Sequence, residues 1–322
     1  MVRSRMFLGA VLAILIVLGP GVSLGNGSTL SPGDILVADQ GIGTIRHYSA
    51  IGTDLGAFAS GLASPSWIAA DTRGNVYVSE YGGNRVRKFS PSGGTLLAIT
   101  TAYTPGGVAI GSDGTIYVAH YDAGSVHHYS PDGADLGIFA SYAGCATGCG
   151  TDFIKFDAAG NLYVGDFQPV GRVRVISPTG VDLGNFITPG VVEGLAFDTQ
   201  GNLYVGNFLH FIIRKFSPTG TDLGTFATLG DPGSAYGMVF DGQGNLYTAN
   251  FAAANIRKYS PTGADLGIFA SVGLAGPRDL VVVPVGGPTS KDECQDGGWG
   301  AVDFPRAFKN QGDCVQFVET GK

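Results

Sequence analysis

Residues 201–208 read GNLYVGNF, and nearly the same string occurs as GNLYVGDF at 160–167 and as GNLYTANF at 244–251. When their tyrosines are aligned with Tyr77 and Tyr117, the copies follow one another at intervals of 40 to 46 residues. Internal repeats of roughly 20–50 residues are typical of solenoids and propellers, in which each repeat is one structural unit. The spacing therefore decides the fold class before any single residue is interpreted.

Each copy contains four short apolar stretches that alternate with turn residues. In the copy around Tyr204 they are 194–198, 202–206, 212–217 and 222–227. An Asp turn followed by Gly-Asn precedes the second stretch, and a Ser-Pro-x-Gly turn follows the third. Proline presets the first central residue of such a turn and glycine accepts the positive φ that follows. We therefore expect four antiparallel strands in each repeat.

The first copy begins with its second strand, DILVAD at 34–39. The missing first strand occurs at the other end of the repeats, as RDLVVVP at 278–284. Pairing these two segments closes a ring and removes the open edge that an incomplete sheet would leave. The prediction is an all-β, six-bladed β-propeller closed by a C-terminal strand, with no helix in the repeat region.

Segments outside the repeats have other compositions. Residues 1–25 carry two arginines, an apolar run and small residues, a pattern typical of a secretory signal peptide. We expect the propeller at 33–284, a linker at 285–290 and a short C-terminal tail at 291–322. We accordingly predict secretion, extracellular or periplasmic, with no membrane span in the mature chain. We also expect a monomer.

Four cysteines in an exported chain favour two disulfides. The pairing that we expect is local, Cys145 with Cys149 and Cys294 with Cys314, and the last two cysteines make the tail a small Cys-pair segment. A zinc site is the alternative, although neither pair has a histidine nearby. The net charge of −7 provides no basic patch for phosphates, so the composition argues against a nucleic-acid partner.

The segment GNVYVSEYGGNRVRKFSPSG at 74–93 and its copies resemble NHL-type propeller repeats. The resemblance covers about residues 33–284 and extends to the broad NHL and SMP-30/gluconolactonase-like superfamily of bacterial secreted type. It implies the propeller fold. That scaffold serves interaction modules, lactonases and lyases, so the resemblance alone does not choose among these functions.

The seventh letter of the repeated string varies, and it ends the second strand of every blade. The six residues are Asp39, Glu80, His120, Asp166, Asn207 and Asn250. We interpret the Asp and Asn residues as Asx turns onto the next loop. Glu80 and His120 depart from that pattern, and we predict that they contact a ligand, the alternative being that they are solvated residues at the rim.

A second ring is expected at the starts of the first strands, on the same face of the disc. Its members are Ser66, Gly106, Asp152, Glu193, Tyr236 and Arg278. Asp152 and Glu193 come from neighbouring blades and are candidate ligands of Ca²⁺ or another divalent cation. Tyr236 and Arg278 are candidate ligand-binding residues. The alternative is a salt bridge from Arg278 to one of the carboxylates that only satisfies the channel.

Two functions are consistent with these residues. The first is a non-catalytic binding module for an extracellular protein, glycan, surface polymer or small molecule, which requires no cofactor. The alternative is a metal-dependent lactonase or hydrolase that uses Asp152, Glu193 and His120. In gluconolactonase-type relatives the metal ligands include Asn and Asp before glycine, and those partners are absent from the first-strand starts here. No nucleophile–base set or phosphate loop occurs in the mature sequence, and we assign no catalytic residue.

Overall fold

A computed structural model describes residues 30–141, 150–166, 171–207, 211–229 and 235–284. Within these residues the chain forms 24 strands in six four-stranded antiparallel sheets and one short 3-10 helix, Tyr81–Gly83. The all-β, six-bladed propeller expected from the repeats is therefore confirmed, and the expectation of no helix in the repeat region is wrong only for this single 3-10 turn. The four cysteines, the signal segment and the tail lie outside the described residues.

Each blade runs from an inner first strand to an outer fourth strand. Blade 1 contains β24 (Pro277–Val282), β1 (Ile35–Asp39), β2 (Thr44–Tyr48) and β3 (Asp54–Ser60). Blade 2 contains β4 (Pro65–Ala70), β5 (Val76–Glu80), β6 (Arg85–Phe89) and β7 (Thr95–Thr100). Blade 3 contains β8 (Pro105–Ile110), β9 (Ile116–His120), β10 (Ser125–Tyr129) and β11 (Asp135–Ser141).

The remaining blades repeat this order. Blade 4 contains β12 (Thr151–Phe156), β13 (Leu162–Asp166), β14 (Val173–Ile176) and β15 (Asp182–Ile187). Blade 5 contains β16 (Val192–Phe197), β17 (Leu203–Asn207), β18 (Ile212–Phe216) and β19 (Asp222–Thr228). Blade 6 contains β20 (Ala235–Phe240), β21 (Leu246–Asn250), β22 (Asn255–Tyr259) and β23 (Asp265–Ala270).

The ring closes through the pairing of β24 with β1. Ile35 lies opposite Val282 and Ala38 opposite Asp279 in an antiparallel register. The buried carboxylate of Asp34, just before β1, accepts a hydrogen bond from the backbone N–H of Ser31 and lies 2.7 Å from Nε2 of His47. The last strand of the propeller is thus joined to the first by backbone pairing, and the buried Asp34–His47 contact holds the start of β1.

Aromatic side chains fill the space between neighbouring blades. Tyr204 of β17 packs edge-on against Phe226 of its own blade and against Phe240 of the next, each at 4.8 Å between ring centroids. Its hydroxyl donates to Asp198, the turn residue whose carboxylate also accepts from the Asn202 backbone and side chain. The same hydroxyl contact joins Tyr77 to Asp71 and Tyr247 to Asp241. The recurrent tyrosine therefore joins the inter-blade core to the turn of its own hairpin.

The outer strands begin with Asp-Leu-Gly in five of the six blades. In four of these blades the aspartate pairs with an arginine of the third strand, as in Arg46–Asp54 and Arg257–Asp265, both at 2.5 Å. In blade 3 the corresponding residue is His127, whose Nδ1 lies 4.0 Å from Oδ1 of Asp135. The glycine adopts a positive φ of 94° to 98°, and the register shifts nearby in all five of these strand pairs. Glycine reaches this conformation without the steric cost that other residues carry. The exposed edge of each of these blades is therefore irregular near its start.

The inner strands of neighbouring blades contact one another all the way round the channel. Glycines permit the closest approaches. A Cβ added to Gly194 would lie 2.6 Å from the carbonyl oxygen of Ala235, and one added to Gly107 would lie 2.7 Å from that of Asp152. Because backbone atoms cannot move aside as a flexible side chain can, a methyl group at these positions would force neighbouring blades apart.

We expect Gly194→Ala to lower the free energy of unfolding by about 1–3 kcal/mol, the usual cost of overpacking. The matched control is Gly242→Ala, whose added methyl group meets no atom within 4 Å and whose φ is not positive. That control should change stability by less than about 0.5 kcal/mol. Urea unfolding monitored by circular dichroism measures both, and equal effects would contradict the proposed blade contact.

Candidate functional site

The two rings expected from the sequence lie at the same edge of the blades. Strand pairing sets each second-strand end opposite a first-strand start, for example Glu80 with Pro65, His120 with Pro105 and Asn207 with Val192. The second-strand end and the first-strand start of each of the six blades define this face of the disc, which we call the mouth. The sequence argument that brings both rings to one face is consistent with this register.

All six first-strand ring residues are left out of the strand pairing. Thr151 pairs with Asp166 and Phe153 with Gly165, so Asp152 between them has no partner in β13. The same shift skips the other members of the ring: Ser66, Gly106, Glu193, Tyr236 and Arg278. A β-bulge of this kind bends its strand and turns a side chain to a new direction. The ring is therefore a set of six bulges, one per blade.

The bulges bring Asp152, Glu193 and Arg278 together. Nη2 of Arg278 lies 3.9 Å from Oδ2 of Asp152, and the indole Nε1 of Trp67 donates to Oδ1 of the same carboxylate at 3.2 Å. Glu193 is 1% exposed, and neither of its oxygens has a hydrogen-bond partner among the described residues. Nε of Arg278 is also buried without such a partner. Polar atoms remain available for bonding at this point of the channel.

Aromatic rings surround the Arg278 guanidinium. Its Cζ lies 4.1 Å from the ring centroid of Tyr236, 5.6 Å from that of Trp67 and 6.0 Å from that of Phe251. A cation over an aromatic face is attracted by the negative face of the ring, most strongly when water is excluded. These contacts hold the guanidinium in place while 17% of the side chain remains exposed.

Burial shifts the pKa of both carboxylic acids upward. Desolvation raises the pKa of Glu193 to about 8 and that of Asp152 to about 6, and the positive charge of Arg278 opposes both shifts. At neutral pH Glu193 is therefore mainly protonated, while Asp152 is mainly ionised. One carboxylate, one neutral carboxylic acid and one guanidinium give the cluster no net charge.

A small cavity lies beside this cluster, because Trp67 and Tyr236 line it as well. The cavity has room for about 10 Å³ and is lined by Trp67, Phe153, Lys155, Tyr236 and Asp279 among others. A volume of this size holds roughly one water molecule. Asp279 is buried here as well and accepts a hydrogen bond from the backbone N–H of Ile68. A ligand larger than a water molecule does not fit in this cavity.

Glu80 lies in an ion-pair network of its own. Its carboxylate accepts from Arg85 at 2.8 and 3.0 Å, from Arg87, and from the backbone N–H of Ala63 at 2.7 Å. It is fully buried, and the hydrogen bonds from the arginines and Ala63 hold its pKa below the ordinary value despite burial. The structure does not bring Glu80 to the cluster around Arg278.

His120 occupies the position of Glu80 in the next blade, and its neighbour His127 occupies that of Arg87. The two imidazole rings lie 4.4 Å apart, with Tyr103 packed against both. No ring nitrogen of either histidine has a hydrogen-bond partner among the described residues. Burial lowers the pKa of His120 to about 4, and the neighbouring His127 contributes to the same shift. The ion pair of blade 2 is thus replaced in blade 3 by two neutral imidazoles.

The Asx-turn interpretation holds for Asp39 and is wrong for Asn250. Asp39 accepts from the backbone N–H of Gly41 and also from those of Ala275 and Gly276. Asn250 instead donates to the side chain of Asn255 at 2.8 Å, because that neighbouring strand provides an amide oxygen. The loops that follow Asp166 and Asn207 lie outside the described residues.

The metal hypothesis rests on Asp152 and Glu193. Within the residues that the structure describes, no three or more His, Cys, Asp and Glu side chains are grouped as a metal would require. Arg278 lies 3.9 Å from Asp152 and contributes a positive charge where a third oxygen ligand would be needed. These residues as placed do not fit a Ca²⁺ ion, which takes six to eight oxygen ligands.

The described part of the chain also contains no helix that is long and apolar enough to cross a membrane.

Two contributors to the site are not evident from sequence reasoning. Trp67 follows the ring residue Ser66 and reaches across the channel to Asp152, which no local pattern signals. An aromatic residue follows the variable letter in five copies, and the repeat leads us to expect that these rings pack between blades. The five are Tyr81, Tyr121, Phe167, Phe208 and Phe251. Tyr81 is 39% exposed, however, and lies edge-on to Tyr121 at 5.8 Å. Exposure of these rings at the mouth depends on the tertiary arrangement and cannot be deduced from the repeat.

We expect Glu193→Gln to alter the pH dependence of stability. The pKa of Glu193 rises from 4.5 to about 8 on folding, so its contribution is full below pH 4.5 and is lost as pH rises towards 8. The glutamine variant lacks this loss, and its stability relative to wild type should increase between pH 5 and pH 9. Urea midpoints at pH 5, 7 and 9 measure the difference.

Asp132→Asn is the control for that experiment. Asp132 lies in an exposed turn, where the hydrogen bond from the Ser130 hydroxyl lowers the pKa of its carboxyl group. Asp132 is therefore ionised throughout the range from pH 5 to pH 9. The control should keep the pH dependence of wild type. If the Glu193→Gln difference stayed constant from pH 5 to pH 9, the protonated state assigned to Glu193 would be wrong.

Comparisons with known proteins identify the fold. No family model matches the chain, and no curated protein matches it significantly. Among solved structures, a gluconolactonase-like protein is 17% identical with a TM-score of 0.60, and the match covers 69% of this chain and 82% of that one. A chain of the nidogen–laminin complex is 17% identical with a TM-score of 0.68, covering 78% and 98%.

A calcium-binding regucalcin from Agrobacterium tumefaciens is 15% identical with a TM-score of 0.56, and the match covers 66% of this chain and 75% of that one. At such identities the likeness concerns the fold alone. It agrees with the NHL-type resemblance of the repeats and with the six sheets of the ring. The chain is thus a six-bladed β-propeller that is similar in fold to a gluconolactonase-like protein, a regucalcin and a chain of the nidogen–laminin complex.

Proposed function

We propose that this chain is a secreted binding module that holds an extracellular ligand at the mouth of its propeller. The observation that carries the proposal is the cluster of Arg278, Asp152 and Glu193, in which both Glu193 oxygens and Nε of Arg278 have no hydrogen-bond partner among the described residues. Unpaired buried polar groups cost free energy, so their concentration at one point calls for a partner. The signal-like segment at 1–25 supports secretion.

The small size of the cavity beside the cluster favours binding at the surface. A cavity that holds about one water cannot admit a substrate, whereas the exposed tip of Arg278 and the exposed ring of Tyr81 are accessible from the mouth. Concave sites with a few convergent polar groups among apolar side chains are the usual form of a ligand site. The mouth meets this description with its aromatic wall and its three polar side chains.

The charges favour binding over metal-dependent hydrolysis. A divalent ion at Asp152 and Glu193 would have to displace the proton of one acid and approach the guanidinium of Arg278. Relatives by fold include a gluconolactonase-like protein and a chain of a nidogen–laminin complex, so fold likeness supports either activity. The choice rests on the site.

Trp67 provides a direct measurement of ligand binding at the mouth. The chain has two tryptophans, so a Trp299→Phe background leaves Trp67 as the only one. We expect a neutral oligosaccharide, an acidic oligosaccharide, a short peptide or a lactone to change its emission saturably. Tyr236→Ala should weaken that response about tenfold or more, because Tyr236 stacks directly on Arg278.

Leu223→Ala is the matched control, since Leu223 is exposed on the outer strand of blade 5. It should leave the response unchanged. A saturable ligand whose affinity is the same in Tyr236→Ala would place binding away from the mouth. Lactone hydrolysis that requires CaCl₂ and is lost in Asp152→Asn would instead establish the hydrolytic alternative.

A further inference from the structure

Arg278 and Asp152 present a donor and an acceptor that are separated by a definite gap. Nη2 and Oδ2 lie 3.9 Å apart, too far for a hydrogen bond between them. A hydroxyl oxygen at ordinary distances of about 2.9 Å from the nitrogen and about 2.7 Å from the carboxylate oxygen fits over this gap. A hydroxyl group both accepts and donates, so one such group satisfies both side chains.

The charges at this point select against ions. Asp152 lies beside Arg278, so any anion drawn to the guanidinium is also close to a carboxylate. Any cation drawn to Asp152 is correspondingly close to Arg278. Glu193 adds no charge at neutral pH because burial raises its pKa to about 8. An uncharged ligand is not repelled by either charge, and it can form hydrogen bonds with both Arg278 and Asp152.

Aromatic rings from several blades lie at the mouth, and two of them, Tyr236 and Phe251, lie beside Arg278. Tyr236 stacks on Arg278 and lies 6.0 Å from Phe251, both in blade 6. Tyr81 of blade 2 contacts Tyr121 of blade 3. Burial and the charge of Asp152 raise the pKa of the Tyr121 phenol, and the positive charge of Arg278 opposes this shift. We call Tyr81, Tyr121, Tyr236 and Phe251 the aromatic arc.

The aromatic arc gives flat apolar surface beside groups that bind hydroxyls. Aromatic side chains bury large apolar areas while tyrosine keeps a polar hydroxyl at its tip. A sugar ring has the complementary form, with a face of C–H groups and an edge of hydroxyls. Peptides also carry apolar groups, but their backbone places few hydroxyl groups at an edge.

We infer that the mouth binds an uncharged sugar ring, with a hydroxyl group held between Arg278 and Asp152 and the C–H face of the ring against the aromatic arc. This inference rests on the proposed function and gives its ligand a chemical class. The binding involves no covalent step. The specificity comes from the Arg278–Asp152 pair, which accepts a neutral hydroxyl and disfavours charge of either sign.

The test compares trisaccharides that differ in charge. The Trp299→Phe protein is titrated at pH 7 with neutral trisaccharides of glucose, galactose, mannose and xylose, with trigalacturonate, and with the trimer of glucosamine. We expect at least one neutral trisaccharide to shift Trp67 emission saturably. Both charged trimers should bind at least tenfold more weakly than that neutral sugar.

Substitutions of Arg278 and Asp152 test whether this pair binds the sugar. Arg278→Lys keeps the charge but loses the planar fork of donors, and Asp152→Asn keeps the size but loses the charge. Each should weaken binding of the neutral sugar about tenfold or more. Arg257→Lys is the control, because Arg257 pairs with Asp265 on the outer part of blade 6 and should change affinity less than twofold. Thermal melting confirms that each variant is folded.

The outcomes separate this inference from the proposed function. Trigalacturonate binding as tightly as every neutral sugar, or no saturable response to any neutral sugar, would overturn the sugar inference. In either case a Tyr236-dependent response to the peptide or to trigalacturonate would leave mouth binding established. If no probe, charged or neutral, gave a response that depends on Tyr236, both proposals would be wrong.

Discussion

The antiparallel pairing of β24 with β1 is the contact on which the remaining architecture depends. It brings residues that are more than 200 positions apart in the chain into one sheet, so the first blade is completed only when the last strand arrives. Each inner strand then contacts inner strands on both sides. Arg278 lies on this closing strand, and the mouth cluster is assembled by the same event that seals the ring.

Bulges turn this closed scaffold into a site. A regular inner strand would alternate its side chains between the two faces of the blade and would leave the channel edge to backbone atoms. The bulges release five ring side chains from the strand pairing, one each from blades 1, 2, 4, 5 and 6, and the ring member of blade 3 is Gly106. Blades 4 and 5 provide acids there, blade 6 a tyrosine and blade 1 an arginine. The chemistry of the mouth therefore varies without a change in the repeat that builds the blades.

The repeat made the fold predictable, and the site only in part. Strand spacing and the late first strand led directly to six blades, and both rings were assigned to one face by counting along the copies. The copies indicate that Asp152, Glu193 and Arg278 lie close together. They do not indicate the bulges that bring these residues together, because bulges depend on the backbone register and side-chain patterns do not report it. The contact of Trp67 with Asp152 joins blades 2 and 4 across the channel.

The His120–His127 contact could have been recognised from the sequence. The copies set these residues at the positions of Glu80 and Arg87, which form an ion pair in blade 2. Comparison of copies within one chain thus identifies substitutions that alter a local interaction. Their consequence for burial and pKa still required coordinates, because the absence of another partner cannot be deduced from repeat positions.

The irregular outer strands have a consequence for how this protein behaves among its own copies. A disc with six sheets presents six free edges, and a straight edge invites a strand from another molecule to add to it. In five of the blades the positive-φ glycine and the shifted register interrupt the row of backbone donors and acceptors near the start of that edge. At high concentration, the first residues of these strands therefore offer no straight edge to which a strand of another molecule could add. This irregularity protects these parts of the edges against assembly into fibrils.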